Sequence, residues 1–462
     1  MPTSRVLLLP ALLLAPAAAT AGSAQTRPPV DVNAYASLQA AIDANPGRIV
    51  LIPPGTYEID RALVISKDRT ELHGPARIIQ RNAKENMLRI ENASEVRVAN
   101  LTFTRSPGSQ DTDRDGVFAL RCRDVEFSGL HVSENHTYAS IVAESSRDIV
   151  VQDCTVINYK GPVIDDRTKS DRFGYAFKSI DGTGIQMREV DGVVIRNNRI
   201  SEYRLLPTRE VRDKYDLGTL TVVPDKPGRN TRQEMLDARY TNNWHQGSAI
   251  HLASPDATRR AIVTGNTIEH CNQGLDIHAD HVIAANNMVS HALIGLKAVH
   301  GSKNILLKGN TISFVDLWGI LLRPGAASRP GAASRDGRPA VTENIDGGSL
   351  IANNIISNLG FGLQAWNWPD RSEAHGLHLG DGPLPENPAL RNLLVIGNIV
   401  HDSGQDTVFV DSEWKKVPPR YGYAAFLNAE SPTASQNVRF YGNLFDPGSK
   451  GIADTSLAPT KN

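Results

Sequence analysis

The sequence predicts an all-β fold, a right-handed parallel β-helix with an N-terminal capping helix and long loop insertions. Three observations predict it. Segments of alternating aliphatic and polar residues recur along the chain, as in RDVEFSGLHV (123–132), RDIVVQDCTV (147–156), DHVIAANNMV (280–289), KNILLKGNTI (303–312) and RNLLVIGNIV (391–400). Their shortest offsets are in the low twenties and others are near twice that, the length of one solenoid coil or of a coil with an insertion. An asparagine also holds the same place in seven units: Asn198, Asn266, Asn287, Asn310, Asn354, Asn398 and Asn443. Asparagine tolerates left-handed backbone angles, and its amide can bond the copies above and below, which satisfies buried polar groups at a tight corner. Finally, the helix-period leucines of helical and leucine-rich repeats are absent.

The elements follow in order. MPTSRVLLLPALLLAPAAATAGSAQT has the positive start, short apolar run and small-residue end of a secretory signal. We read residues 1–24 as that signal, with cleavage after Ala21 or Ala24, and 25–462 as one exported domain, periplasmic or secreted. The apolar run is short for a membrane span. YASLQAAIDANPG (35–47) reads as an amphipathic helix closing the open end of the solenoid, and RIVLIPPGTYEIDRALVI (48–65) as two strands around a Pro-Pro-Gly turn. The coils then run to about residue 445. Three long insertions interrupt them, at 201–246, 324–348 and 366–391.

Bulk composition excludes several classes. With 40% hydrophobic residues in 462, a large core is available, and a net charge of −1 gives no global attraction to nucleic acid or membrane. Cys122, Cys154 and Cys271 are odd in number and lack metal spacing, so they are expected as free buried thiols. A monomer is expected.

A second strand series begins near glycines: QGSAIH (246–251), QGLDIH (273–278), IGLKAV (294–299), WGILLR (318–323) and FGLQAW (361–366). Aligned on Gly247, Gly274, Gly295, Gly319 and Gly362, the residue after each glycine and the second beyond it face inward. One outward column then holds Ala249, Asp276, Lys297, Leu321 and Gln364. The other holds His251, His278, Val299, Arg323 and Trp366. Coils stack about 4.8 Å apart, so His251, Asp276, His278, Lys297 and Arg323 are expected within about 15 Å on one surface. The insertions should wall this face as a groove. Between Leu293 and Arg338 stand seven basic residues against two acids, a local basic stripe. Trp244, Trp318, Trp366 and Trp368 at the edges suit sugar rings, and Asn243, His245 and His300 fall at the rim.

Such a patch fits an acidic polysaccharide as substrate. Taking the proton beside a uronate carboxylate needs a base, a cation for the enolate-like intermediate and an acid for the departing oxygen. Histidine and lysine can serve as bases, and arginine holds a carboxylate through two bonds.

The capping helix followed by VLIPPGTYEI resembles the entrance to the pectate-lyase-like β-helix proteins, over roughly residues 30–445. Gly274-Leu275-Asp276-Ile277-His278 resembles the Gly-x-Asp-Pro-His motif of mannuronan C5-epimerases, with isoleucine in place of proline. That resemblance implies catalytic roles for Asp276 and His278. Lys297 in GLKAVHGSKN and Arg323 in GILLRPG resemble the Lys and Arg pair of β-helix lyases. The residues before Lys297, VSHALIG, lack the acidic calcium ligands that such lyases often carry, so no metal or other cofactor is expected. The combined expectation is a polysaccharide lyase with Lys297 or His278 as base, Arg323 neutralising the carboxylate, Asp276 orienting and His251 assisting. Uronate C5-epimerisation, glycoside hydrolysis and non-catalytic glycan binding are the alternatives.

Overall fold

The computed structural model describes residues 29–454, except 107–111, 113, 137, 167–168, 170–173, 226–232, 300, 324–346, 361–373, 381–389, 403–406, 411–412, 417–419 and 429–435. Residues 1–24, read above as a secretory signal, and His300, Gln364, Trp366, Trp368 and the PGAASR duplication lie outside the described residues.

Alternating aliphatic residues fold into short strands, each paired in parallel with its counterpart one coil on. Leu275 pairs with Leu296 and Val282 with Ile305, so coils of 21 and 23 residues are stacked directly. The strands form three faces of a parallel β-helix. The first face runs from Leu88–Glu91 through Val117–Leu120, Ala139–Glu144, Thr183–Arg188 and Ser248–Ala253. It continues through the C-terminal halves of Thr267–Ile277, Met288–Val299 and Thr311–Arg323 to His375–Gly380 and Tyr423–Asn428. The second face contains Arg123–Ser128, Arg147–Gln152, Asp191–Arg196 and their successors to Gln436–Tyr441. Short strands such as Thr155–Ile157 and Arg199–Ser201 make the third.

The interior is a set of stacked apolar columns. Phe127, Val151, Ile195, Val263, Ala284, Leu307, Ile351 and Val395 are in register from coil to coil, each essentially inaccessible. Burying each large aliphatic side chain contributes about 1.5–3 kcal/mol. One contiguous core extends from Val32 to Leu427 and takes in the three thiols, which are free and buried as expected.

The asparagine column forms the corner, by one of the two properties anticipated. The Oδ1 of Asn287 accepts from the backbone N–H and the amide of Asn266, and its Nδ2 donates to the Val263 carbonyl at 3.0 Å. The same pattern runs from Asn198 to Asn443. The left-handed angle belongs instead to the preceding residue, as at Asn197, Gly265, Asn286 and Gly309. The ladder asparagines are thus selected for hydrogen bonding between coils rather than for backbone freedom.

At the N-terminus the helix is Leu38–Ala44, shorter than the 35–47 pattern. Ser37 caps it, its Oγ accepting from Ala40 N at 3.1 Å, and Leu38, Ala41 and Ile42 seal the core. The stretch after it makes three strands rather than two, Ile49–Leu51, Thr56–Ile59 and Leu63–Ile65. The 201–246 insertion folds around the helix Arg209–Tyr215, N-capped by Thr208, and the strand Leu220–Val222. That strand extends an antiparallel pair, Gly161–Asp165 and Ala176–Asp181, into a small sheet inserted between the coils. No helix among the described residues is long and apolar enough to cross a membrane.

Candidate active site

In QGLDIHAD the strand pleat separates roles. Leu275 and Ile277 are buried in the core, while Asp276 and His278 stand on the outer side of the first face. Register pairs His251 with Asp276 and Asp276 with Lys297, so three chemically active side chains occupy one column on successive coils. Gln186 precedes His251 in this column, and Leu321 and His378 follow Lys297.

Asp276 is the hub. Its Oδ1 bonds His278 Nε2 at 2.8 Å, the Lys297 Nζ lies 3.2 Å from both of its oxygens, and Ser248 Oγ donates to Oδ2 at 3.5 Å. Burial alone would raise the Asp276 pKa. The charges of His278 and Lys297 and the bond from His278 outweigh it, and hold the carboxyl well below its usual range. Lys297 also donates to Gln273 Oε1 at 3.1 Å. The His251 ring meets that of His278 edge-on at 4.9 Å, and Gln186 Nε2 contacts His251 Nδ1 at 3.0 Å. The Asp276 carboxylate accepts from His278 Nε2–H, which leaves Nδ1 as the basic nitrogen of the neutral ring. The arrangement can therefore take a proton at His278 and supply one from Lys297.

A second cluster adjoins it. Arg323 donates to His378 Nε2 at 2.9 Å, and its guanidinium lies over the Trp318 ring at 5.6 Å. Burial, and then Arg323 and His375, push the His378 pKa well below its normal value, so this imidazole is neutral. His375, Tyr423 and Phe426 extend the aromatic surface beyond it.

The structure brings together His251, Asp276, His278 and Lys297, with Arg323 two coils from His278, and corrects two details of the alignment. Ala249, not Gly247, is the partner of Gly274, which moves His251 two positions into the Asp276 column. The coil after Trp318–Arg323 is His375–Gly380 rather than FGLQAW. The register follows from close packing: a Cβ on Gly274 would lie 2.4 Å from the Gly295 carbonyl, and one on Gly319 2.6 Å from that of Gly376. Sequence reasoning misses His378 for this reason, although HGLHLG repeats the glycine–aliphatic–polar–aliphatic signature of QGLDIH. It also misses Gln186, Ser248 and Gln273. Nothing short of register marks them.

The rim expectations change as well. Trp244 is fully buried against Leu205, Leu217, Leu293 and Leu321, so it anchors the 201–246 insertion against the first face and offers no platform to a sugar. Asn243 is buried, bonded through its carbonyl to the Gln246 amide at 2.7 Å. His245 is buried 3.2 Å from the ammonium of Lys160, and burial, then that charge, hold it well below its normal pKa. Lys160, wholly enclosed, is pushed down to about 8 by burial. Of the basic stripe, Lys303 and Lys308 stand on the second face, so only Lys297 and Arg323 among its described members belong here.

His251, Asp276 and His278 bring one ligand atom each within 4.8 Å, a spread compatible with a divalent cation. The residues fit such an ion poorly, because the Lys297 ammonium lies on both oxygens of the only carboxylate among them.

No protein-family profile matches the chain, and no curated protein matches it. Solved structures do. A mutant DFA-IIIase from Arthrobacter chlorophenolicus is 11% identical over 94% of this chain and 99% of its own, with a TM-score of 0.53. A PL6 alginate lyase in complex with a trisaccharide is 12% identical, covers 91% and 87%, and has a TM-score of 0.50. The A-module of an Azotobacter vinelandii mannuronan C-5 epimerase is 12% identical, covers 92% and 99%, and has a TM-score of 0.47. At these identities the likeness is one of fold, the right-handed parallel β-helix.

Proposed function

We propose that this chain is an exported carbohydrate-active enzyme that cleaves a uronate-containing polysaccharide by β-elimination. The observation that carries the reading is the Asp276-centred bridge between His278 and Lys297, with Arg323 two coils further on the same face. His278 Nδ1 takes the proton from C5, beside the carboxylate. Arg323, whose backbone stands two coils or about 10 Å further along the face, extends its guanidinium toward that carboxylate and stabilises the enolate-like charge. As the C4–C5 double bond forms, the C4–O bond breaks and the leaving oxygen takes a proton from Lys297. Asp276 orients His278 and keeps Lys297 in place. These side chains need no metal for that sequence.

Hydrolysis is less well supported. It requires a second carboxyl about 5–10 Å from the first, and the residues in register with Asp276 on the neighbouring coils, Gln186, His251, Lys297 and Leu321, include none. C5-epimerisation shares the proton abstraction. It is favoured by one feature: His251 and Lys297 flank Asp276 from opposite coils, so two proton carriers reach the same point.

The test is a screen of the purified protein on alginate, pectate, glucuronan, glycosaminoglycans and bacterial exopolysaccharides, followed by the ultraviolet absorbance of unsaturated uronate. Elimination requires a rise with at least one polymer, abolished in His278→Ala. No rise, with inverted C5 centres by proton NMR, would replace it with epimerisation.

A further inference from the structure

The first face carries a cleft four coils before Asp276. It encloses about 430 Å³ between Lys84, Glu85, Asn86, Arg89, Arg114, Asp115, Phe118, Tyr138 and Arg188. Its walls are tied together. The buried guanidinium of Arg105 donates to the Glu85 carbonyl at 3.0 Å and to Asn135 Oδ1 at 3.0 Å. Asn86 Nδ2 donates to the Asp115 carbonyl at 2.6 Å, and Arg114 Nε to that of Lys84 at 3.0 Å. The two rim segments are thereby held in a fixed shape before any ligand arrives.

The chemistry of the lining is that of a site for a polar ring. Phe118 is half-buried on the floor, and Tyr138 is 58% exposed at the rim. Arg188 bridges Asp115 at 3.3 Å and Glu144 at 2.8 Å, and Arg89 pairs with Glu91. The Nε of Arg89 and that of Arg188 are buried and have no hydrogen-bond partner among the described residues. Four basic groups (Lys84, Arg89, Arg114, Arg188) face four acidic ones (Glu85, Asp115, Glu91, Glu144), and burial, opposed by Arg188, raises the pKa of Asp115. Planar donors and acceptors beside aromatic rings suit sugar hydroxyls, and arginines suit a sugar carboxylate.

Register connects this cleft to the candidate active site. Phe118 shares its outward column with Val142, Gln186, His251 and Asp276, four coils or about 19 Å away. Val142 is covered, but the adjoining positions Glu144, Arg188, Ala253 and His278 are all partly exposed, so a row of accessible side chains links the two. Resting on the proposed function, we infer that the cleft is a distal subsite, which takes a remote uronate residue of the same polysaccharide chain whose reacting unit lies at His278. Chains long enough to span both points bind through the cleft as well as the active site, and disaccharides and trisaccharides do not.

Calorimetric titration of the intact protein with size-graded alginate oligosaccharides tests this without requiring turnover. The expected result is affinity about tenfold or more higher for chains that span the distance than for trisaccharides. Tyr138→Ala, at an exposed position that leaves folding intact, and Phe118→Ala should each remove most of that difference and leave trisaccharide binding unchanged. A length dependence that survives both substitutions overturns the inference, as does its absence from the unmodified protein or a failure to bind at any length. Loss of long-chain affinity in the variants of a protein that forms no unsaturated product would uphold the subsite and refute elimination. Product formation without length dependence would do the reverse.

Discussion

Replacing Asp276 by asparagine removes one charge at nearly constant volume and strands a cation. Lys297 keeps its position 3.2 Å from the former carboxylate, with only 16% of its side chain exposed. At that distance and an effective dielectric of ~20, the lost attraction is about 5 kcal/mol in gross terms. Removing one partner of a buried pair costs about 3–5 kcal/mol net, and the asparagine oxygen still accepts a hydrogen bond, so about 3 kcal/mol is expected. Urea unfolding should show a lower midpoint at unchanged slope. Adding Lys297→Met removes the stranded charge, and the double variant should regain about 2 kcal/mol. Because the folded pKa of Asp276 is depressed, its stabilisation is present above the unfolded value of about 3.9 and is lost as pH falls through the folded value. Asp276→Asn should flatten that acid limb. Catalysis should fall about a thousandfold or more, since the amide turns His278 into the wrong tautomer. A variant that unfolds at the unmodified midpoint, or a double variant whose costs simply add, would refute the hub role of Asp276.

Further outcomes follow from other parts of the molecule. Asn310→Ala leaves two donors of Asn287 and the Ala284 carbonyl without partners in a buried corner, and should cost about 3 kcal/mol or more, whereas Asn443→Ala frees the matching groups of Asn398 and Val395 in a partly exposed corner that water can reach, and should cost markedly less by the same unfolding assay. Lys160 ionises at about 8 in the folded chain and at about 10.4 when unfolded, so the unfolded state binds more protons between these values and stability should rise with pH across that window. Lys160→Met should abolish the rise and stabilise the protein at neutral pH by up to about 3 kcal/mol. Arg323→Lys loses the planar fork that meets His378 and a carboxylate together, and should raise KM and lower kcat, with no change in the thermal midpoint beyond about 2 °C. Exhaustive dialysis against a chelator should leave activity unchanged; loss of activity restored by one divalent ion would assign His251, Asp276 and His278 to that ion instead.

The fold is legible because solenoid order is written into the chain as repetition. Each coil must bury its own aliphatic columns and satisfy its own corner, so Asn266, Asn287 and Asn310 appear at coil spacing, and the inward positions alternate visibly. The core of the site is legible for the same reason, since Asp276, His278 and Lys297 lie on coils without insertions between them. Legibility fails where insertions remove the spacing. Glycines occur both in turns and at close backbone contacts, so Gly247 aligns in place of Ala249, and FGLQAW stands in for the coil that carries His378. Burial is illegible at Trp244 and His245: the tertiary position of a 46-residue insertion decides whether its aromatic residues face a groove or a core, and no local pattern records it.

The central claim is that this face abstracts the proton beside a uronate carboxylate. The most direct test is proton NMR of the active polysaccharide from the screen, incubated with the protein in deuterated water. The account predicts loss of the H5 signal with the appearance of a vinylic H4 resonance for the unmodified protein, and neither change for His278→Ala. Depolymerisation with H5 retained and no vinylic signal would contradict it, because the bond would then have been broken by hydrolysis.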